Sequence, residues 1–210
     1  MWHFAAGTDG PRTNYGKRSK LIAGKTYKLP KGQKPVPCER GFHASERAID
    51  ALNYAQGPWV SRVTLGGEIV PHDGDKLCAS ERTHHGFADA TMVLHEFACW
   101  CAEQALKAER KAGREPDPRS WKAIKVKRQW MKGKATIEEL DAAGAAAWDA
   151  AGDAARAAAG AAAWDAAWAA AGAAAWDAAG AAAWAAAWAA QNRKLESMLN
   201  KLLSHEVVQR

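Results

Sequence analysis

Apolar and polar positions change places in short runs over the first 88 residues, and then settle into a longer period. "WHFAA" at 2–6 reads as a strand that stops at "GTDGP", and "GKTYKL" alternates until Pro30. "GFHAS" at 41–45 is a short apolar strand running into "ERAIDALNYA". There Ala48, Ile49, Leu52 and Ala55 make one helical face, and Ser45 is placed to accept from the first free helix amides. "WVSRVTL" puts Val60, Arg62 and Thr64 on one face of a strand and Trp59, Ser61, Val63 and Leu65 on the other. "GG" followed by "EIVPH" predicts a turn and a hairpin partner, and "DKLCASERT" one more strand.

The period then becomes helical. Asp89 is placed to cap "ATMVLHEFACWCAEQALKAERKAG", with Val93, Phe97, Trp100 and Leu106 near one stripe and Gly113 as its stop. "REPDP" is a linker, and Asp117 before Pro118 opens "RSWKAIKVKRQWM", which Gly133 ends. "TIEE", Thr136 to Glu139, fits a capping box. The expected fold is α+β. A small mixed α/β domain spans 1–113, a basic helical connector 114–136, and an Ala/Trp-rich helical region 137–210, as one long helix or a hairpin.

Between Ala142 and Ala190 the 16 residues that are not alanine occupy two slots. One holds Gly144, Trp148, Gly152, Arg156, Gly160, Trp164, Trp168, Gly172, Trp176, Gly180, Trp184 and Trp188, all at multiples of four. The next holds Asp149, Asp153, Asp165 and Asp177. Alanine is the best helix former, so helix is expected throughout. Each four-residue step turns about 40° beyond a full revolution, so the stripe winds around the rod. The indoles are expected to be hidden against protein, either within the chain or in a homo-oligomer through Trp148, Trp164, Trp168, Trp176, Trp184 and Trp188. A role in stacking on nucleic-acid bases ranks lower, because the neighbouring Asp residues repel phosphate.

Charge divides unevenly. Residues 1–140 carry 24 basic and 16 acidic side chains, a net +8, and residues 141–210 carry 5 and 7, a net −2. The front part therefore favours an anionic partner. Residues 12–40 hold nine Lys or Arg against one acid, and 119–134 hold seven against none. Lys125, Arg128 and Lys132 fall at helical spacing that suits a phosphate. Cys38, Cys78, Cys99 and Cys101 form neither a disulfide framework nor paired zinc spacing. With no signal peptide at the start, they indicate a reducing, cytoplasmic setting. The longest uncharged run in the alanine tract, Ala178–Asn192, is shorter than the roughly 18 residues of a membrane span, so no membrane partner is expected. His95 and Cys99 stand four apart without a third ligand spaced nearby, so neither metal nor cofactor is expected.

His3 and His43 each lie in a short apolar strand flanked by aromatics, and two such strands often pair beside a cleft. Ser45, at the start of a helix, would supply amides and a hydroxyl to an anion. The candidate ligand contacts are His3, His43, Ser45, Arg62 and Arg82, with Tyr54 as a stacking surface.

"CERGFHASERAIDALNYAQGPWVSRVTLGGEIVPHDGDKLCASERT" and "ADATMVLHEFACWCAEQAL" resemble an uncharacterised family of bacteriophage and prophage proteins, over roughly residues 1–108. The tail, "GKATIEELDAAGAAAWDAA" through "QNRKLESML", is similar to the helical tails of that family and of some bacterial immunity proteins. The order "WHF", "GFHAS", "VSRVTL" is also similar to small ADP-ribosyltransferase-like folds, which implies Glu68 or Glu81 as a catalytic glutamate. Taken with the basic front and the His and Arg residues, the phage resemblance leads to the expectation of an accessory protein that counters host defence by sequestering an anionic, nucleotide-derived small molecule. The alternatives are an enzyme acting on NAD and a non-enzymatic scaffold built by the Ala/Trp helices.

Overall fold

The structure, a computed structural model, describes the backbone of residues 1–165 and 173–208 and the side chains of 1–151 and 185–205. The fold is α+β: an antiparallel sheet followed by helices. In chain order the elements are β1 (Trp2–Ala5), β2 (Thr26–Lys28), β3 (Phe42–Ala44), α1 (Ala48–Asn53), β4 (Trp59–His72), β5 (Lys76–His84) and β6 (Ala88–Asp89), then α2 (Thr91–Lys111), α3 (Pro118–Trp130), α4 (Ile137–Asp165) and α5 (Ala173–Val208). Two compact units result. One comprises residues 1–94 with 189–210, and the other residues 95–188. This partition differs from the expected divisions after residues 113 and 136, because the end of the chain returns to the sheet.

In the first unit β4 is the longest strand. Its start, Trp59 to Arg62, pairs with β1, and Val63 to His72 pairs with β5. The edge of β5 carries β2 opposite Glu81 to Thr83 and β3 opposite Leu77 to Ala79. A bridge between Trp2 and Ser45, with reciprocal bonds of 2.8 and 3.1 Å, returns β3 to β1. It therefore joins the two ends of the path β1-β4-β5-β3, which brings His3 and His43 to one place.

The expected hairpin at Gly66–Gly67 is instead a bulge inside one strand, where the β4–β5 register shifts between Gly66 and Ile69. Gly67 has φ +68°, and a Cβ there would meet Ser80 Oγ at 2.1 Å. The two glycines absorb an irregularity rather than reverse the chain. The reversal comes at Asp73–Asp75, between β4 and β5.

Ser45 does not cap α1. Arg47 is the capping residue and makes no side-chain cap bond. The helix's first amides are satisfied from α5 instead: Glu196 Oε1 accepts from Ala48 N at 3.2 Å, and Asn192 Oδ1 accepts from Ile49 N at 3.1 Å. Glu196 Oε1 also accepts from Trp2 Nε1 at 3.1 Å. Beside these contacts Leu195 and Leu199 are fully buried. The spacing of Asn192, Leu195, Glu196 and Leu199 thus serves the sheet domain, where Asn192 and Glu196 reach α1 and β1.

In the second unit the local signals act where the spacing places them. Asp117 accepts from Arg119 N at 2.8 Å, and Pro118 occupies the first turn, where no amide partner is needed. Thr136 and Glu139 exchange the two capping-box bonds at 2.8 and 3.2 Å. In the first unit, at the start of α2, Asp89 Oδ1 likewise accepts from Thr91 N at 2.8 Å. Of the expected stripe on α2, Phe97 is buried and stacks with Trp100 at 6.3 Å.

α4 packs on α3 and buries Ala143 and Ala150. Trp148 lies about 140–160° around the helix from both, and it is 81% exposed, contrary to the expectation that it is hidden within the chain. Small residues approach α3 closely, and the indole is left pointing away. Trp164, Trp168, Trp176 and Trp184 lie outside the residues whose side chains are described, and so does the path of the tract at 166–172. Trp148→Ala should leave the unfolding free energy of dilute protein within about 0.5 kcal/mol of the parent in urea titration. A loss above about 1.5 kcal/mol would mean that another surface covers this ring.

Candidate functional site

The first unit encloses a cavity of about 480 Å³ between β1, β3, the neighbouring loops and the end of β5. Such a volume suits a small molecule. Five of the six residues singled out from the sequence line it: His3, His43, Ser45, Tyr54 and Arg82. Arg62 does not. It sits on the exposed face of β4, with its guanidinium 4.4 Å over the Trp2 ring. Strand alternation puts it on the face opposite Ser61 and Val63.

Arg82 dominates the electrostatics. It is 6% exposed, and it has no carboxylate partner among the described residues. Its Nη1 donates to the His43 carbonyl at 2.7 Å and its Nε to His84 Nε2 at 3.1 Å. Phe42 lies beneath the guanidinium, 5.5 Å away. Burial lowers the Arg82 pKa to about 10, which leaves the group charged at neutral pH. A buried charge is costly unless it is paired, and the two acceptors here are neutral. Lys76, also buried and lining the cavity, differs in having Asp73 at 4.0 Å.

His84 sets the orientation of Arg82. It is fully buried, and burial followed by the charge of Arg82 lowers its pKa to about 3. The neutral ring accepts from Arg82 at Nε2, so the proton resides on Nδ1, which donates to Ser61 Oγ at 3.1 Å. Ser61 in turn donates to the Arg62 carbonyl at 3.0 Å. His3 stands edge-on to His84 at 5.4 Å, is 9% exposed, and has an Nδ1 with no hydrogen-bond partner. Burial, then Arg82, holds His3 well below the usual imidazole range. His43 accepts from Cys38 N at its Nε2, 3.2 Å away, which places its proton on Nδ1. Burial lowers its pKa as well.

These shifts imply a pH dependence. A histidine whose folded pKa lies below the unfolded value of about 6.5 binds more protons when unfolded. Stability contributed by neutral His84 is therefore present above about pH 6.5 and is lost as pH falls toward about 3. At pH 5 the loss from His84 should be about 2 kcal/mol. His3 acts in the same direction. Urea midpoints at pH 7.5 and pH 5 check this, and equal midpoints would contradict the neutral, buried assignment.

Two other roles change on contact with the structure. Ser45 is 2% exposed and its backbone is committed to Trp2. With the α1 amides taken by Asn192 and Glu196, the expected helix-start anion seat is filled by protein. Tyr54 donates to Asp75 Oδ2 at 2.7 Å, and the Lys76 ammonium lies 3.9 Å over its ring. One stacking face is thereby covered.

Several lining residues were not singled out from the sequence: Thr13, Asn14, Tyr15, Cys38, Glu39, Arg40 and Lys76. His84 was legible in part, since residues 82 and 84 share a strand face. Its neighbour His85 points the other way, to Thr64 Oγ1 at 2.7 Å. Neither Glu68 nor Glu81 lines the cavity. Glu81 pairs with Lys28 at 2.9 Å, and Glu68 is exposed on the β4 bulge. Glu39 is the one acid among the lining residues.

In the second unit Arg128, expected to help hold a phosphate, is taken by Glu96 and Glu103, each at 2.9 Å. His95 lies edge-on to Trp130 at 5.4 Å, and Cys99 is buried. Among the described residues no group of three His, Cys, Asp or Glu is arranged to hold a metal ion. No helix among them is long and apolar enough to cross a membrane.

A family model for a domain of unknown function (DUF7666) matches residues 17–96. The chain is similar to that family from the loop before β2 to the start of α2. Arg82, His43, His84 and Lys76 fall inside the match, while His3, Asn14, Tyr15 and the α5 segment fall outside it. No curated protein and no solved structure matches the chain.

Proposed function

We propose that the cavity of the first unit binds an anionic, nucleotide-derived small molecule and holds it without transforming it. The observation that carries this is Arg82: a buried, charged guanidinium with no carboxylate partner among the described residues, bordering a cavity that His3 and His43 also line. His43 offers an Nδ1–H, and His3 has an orphaned nitrogen. An acceptor-rich anion would satisfy Arg82 and His43 at once, and His3 as well in its Nδ1–H tautomer, whereas a cation or an apolar ligand would leave the charge unpaired. Because Glu68 and Glu81 stand away from the cavity, binding is favoured over ADP-ribosyl transfer. Sequestration of a host signal by a phage-encoded accessory protein is the biological setting we infer from the family resemblance.

Isothermal titration of the full chain with inorganic phosphate, nucleoside mono- and diphosphates and ADP-ribose tests the proposal. Saturable heat with at least one of these at micromolar affinity is expected. Absence of heat and of any thermal shift with all of them would end it.

A further inference from the structure

We infer that Tyr15 is the stacking platform for the base of that nucleotide, so that the phosphate points inward to Arg82 and the base sits at the cavity's mouth. This rests on the anion-binding proposal above and adds to it the orientation of the ligand and the residue that selects an aromatic one.

Tyr15 lines the cavity and yet is 77% exposed, so it stands where the cavity meets solvent. Its ring meets no other aromatic ring and no cation among the described residues. Of the other lining Phe, Tyr and Trp rings, Phe4 is 2% exposed and the remaining three are engaged. Lys76 covers one face of Tyr54, Arg82 lies over Phe42, and Trp2 sits against Arg62 while donating to Glu196. An open π-face at the mouth is thus offered by Tyr15.

The loop that carries it is tied down. Asn14 bridges back to the end of β1 and the residue after it, its Nδ2 donating to the Phe4 carbonyl at 3.1 Å and its Oδ1 accepting from Ala6 N at 2.9 Å. On the far side Thr13 N donates to the Ser19 carbonyl at 2.9 Å, and Leu21 N donates to that of Pro11 at 2.8 Å, with the Leu21 side chain buried. The ring is exposed but its backbone is positioned, which lowers the entropic cost of stacking on a ligand. Lys17, Arg18 and Lys20 follow on the same loop, all exposed, and add to the positive charge that this loop carries.

The site therefore has two chemically distinct ends. The deep end is a donor cluster around a buried charge and suits a phosphate. The outer end is an exposed, flat aromatic and suits a base, whose stacking is tolerant of identity. A nucleoside 5′-monophosphate presents both groups across its ribose.

Calorimetric titration of the full chain and of Tyr15→Ala and Tyr15→Phe with inorganic phosphate, ribose 5-phosphate and adenosine 5′-monophosphate tests the inference. In the parent, the monophosphate should bind about tenfold or more tightly than ribose 5-phosphate. Tyr15→Ala should abolish that difference while leaving ribose 5-phosphate affinity and the thermal midpoint unchanged, and Tyr15→Phe should preserve it. Equal affinities for the two ligands in the parent, or a preference that survives Tyr15→Ala, would overturn the role of Tyr15 while leaving the anion site standing. Absence of binding by all three probes would remove the anion site and this inference together.

Discussion

Arg82→Gln should lower affinity for a nucleoside monophosphate by about 30- to 1000-fold, equivalent to about 2–4 kcal/mol. Glutamine keeps a donor near the His43 carbonyl but removes the charge. In the parent that charge is buried among neutral partners, with His84 and Ser61 holding its Nε in line. The effect should fall on binding and not on folding. The lost hydrogen bonds to His84 and the His43 carbonyl destabilise the ligand-free protein, while removal of an unpaired buried charge stabilises it. The ligand-free variant is therefore expected to unfold in urea within about 1 kcal/mol of the parent. Phosphate should raise the parent's thermal midpoint and leave that of the variant unmoved. A variant that binds within threefold of the parent would show that the guanidinium does not meet the ligand.

The second large effect lies at the other end of the chain. Leu199→Ala, and separately Leu195→Ala, should each cost about 3–5 kcal/mol in the first unit, because both side chains are fully buried and alanine would leave a void. Glu196→Ala should add a smaller loss, since one carboxylate oxygen serves both Trp2 Nε1 and Ala48 N. The readout must report on the sheet and not on the helices. Hydrogen exchange of β4 and β5 amides under increasing urea does so, and their protection should fall in step with the loss. Unchanged protection in Leu199→Ala would mean that the C-terminal turns of α5 contribute nothing to the sheet domain.

The two effects differ in how far the sequence foretold them. Period-two and period-3.6 patterns, together with capping chemistry, are local, acting over a few residues. For that reason β1, β3 and β5, the Asp117–Pro118 start and the Thr136–Glu139 box stand where the pattern places them. Charge counting was local as well, and it located a basic front. Arg128 shows the limit of such counting, since Glu96 and Glu103, 32 and 25 positions earlier, neutralise it once α2 and α3 pack.

What tertiary structure decided depends on separations that no pattern encodes. Gly66–Gly67 is a bulge and not a turn because β5 continues alongside β4 past it, with Ser80 occupying the space a Cβ would need. α1 begins without Ser45 because Asn192 and Glu196, more than 140 residues away, bring side-chain oxygens to its first amides. The cavity exists because one bridge, Trp2 to Ser45, returns β3 to β1.

By itself, then, the sequence determined the class of fold, the helical character of the described parts of the alanine tract and five of the residues that line the cavity. Those are consequences of side-chain period and of histidines and arginines set in apolar strands. Tertiary structure alone decided that Arg82 would be buried without a counter-ion among the described residues, that Arg62 would face outward, that Tyr15 would stand at the mouth, and that Asn192 to Leu199 of α5 would complete the sheet domain. Each of these depends on which distant group comes to rest within a few ångströms, and burial changes the energy of a charge only after the chain has closed around it.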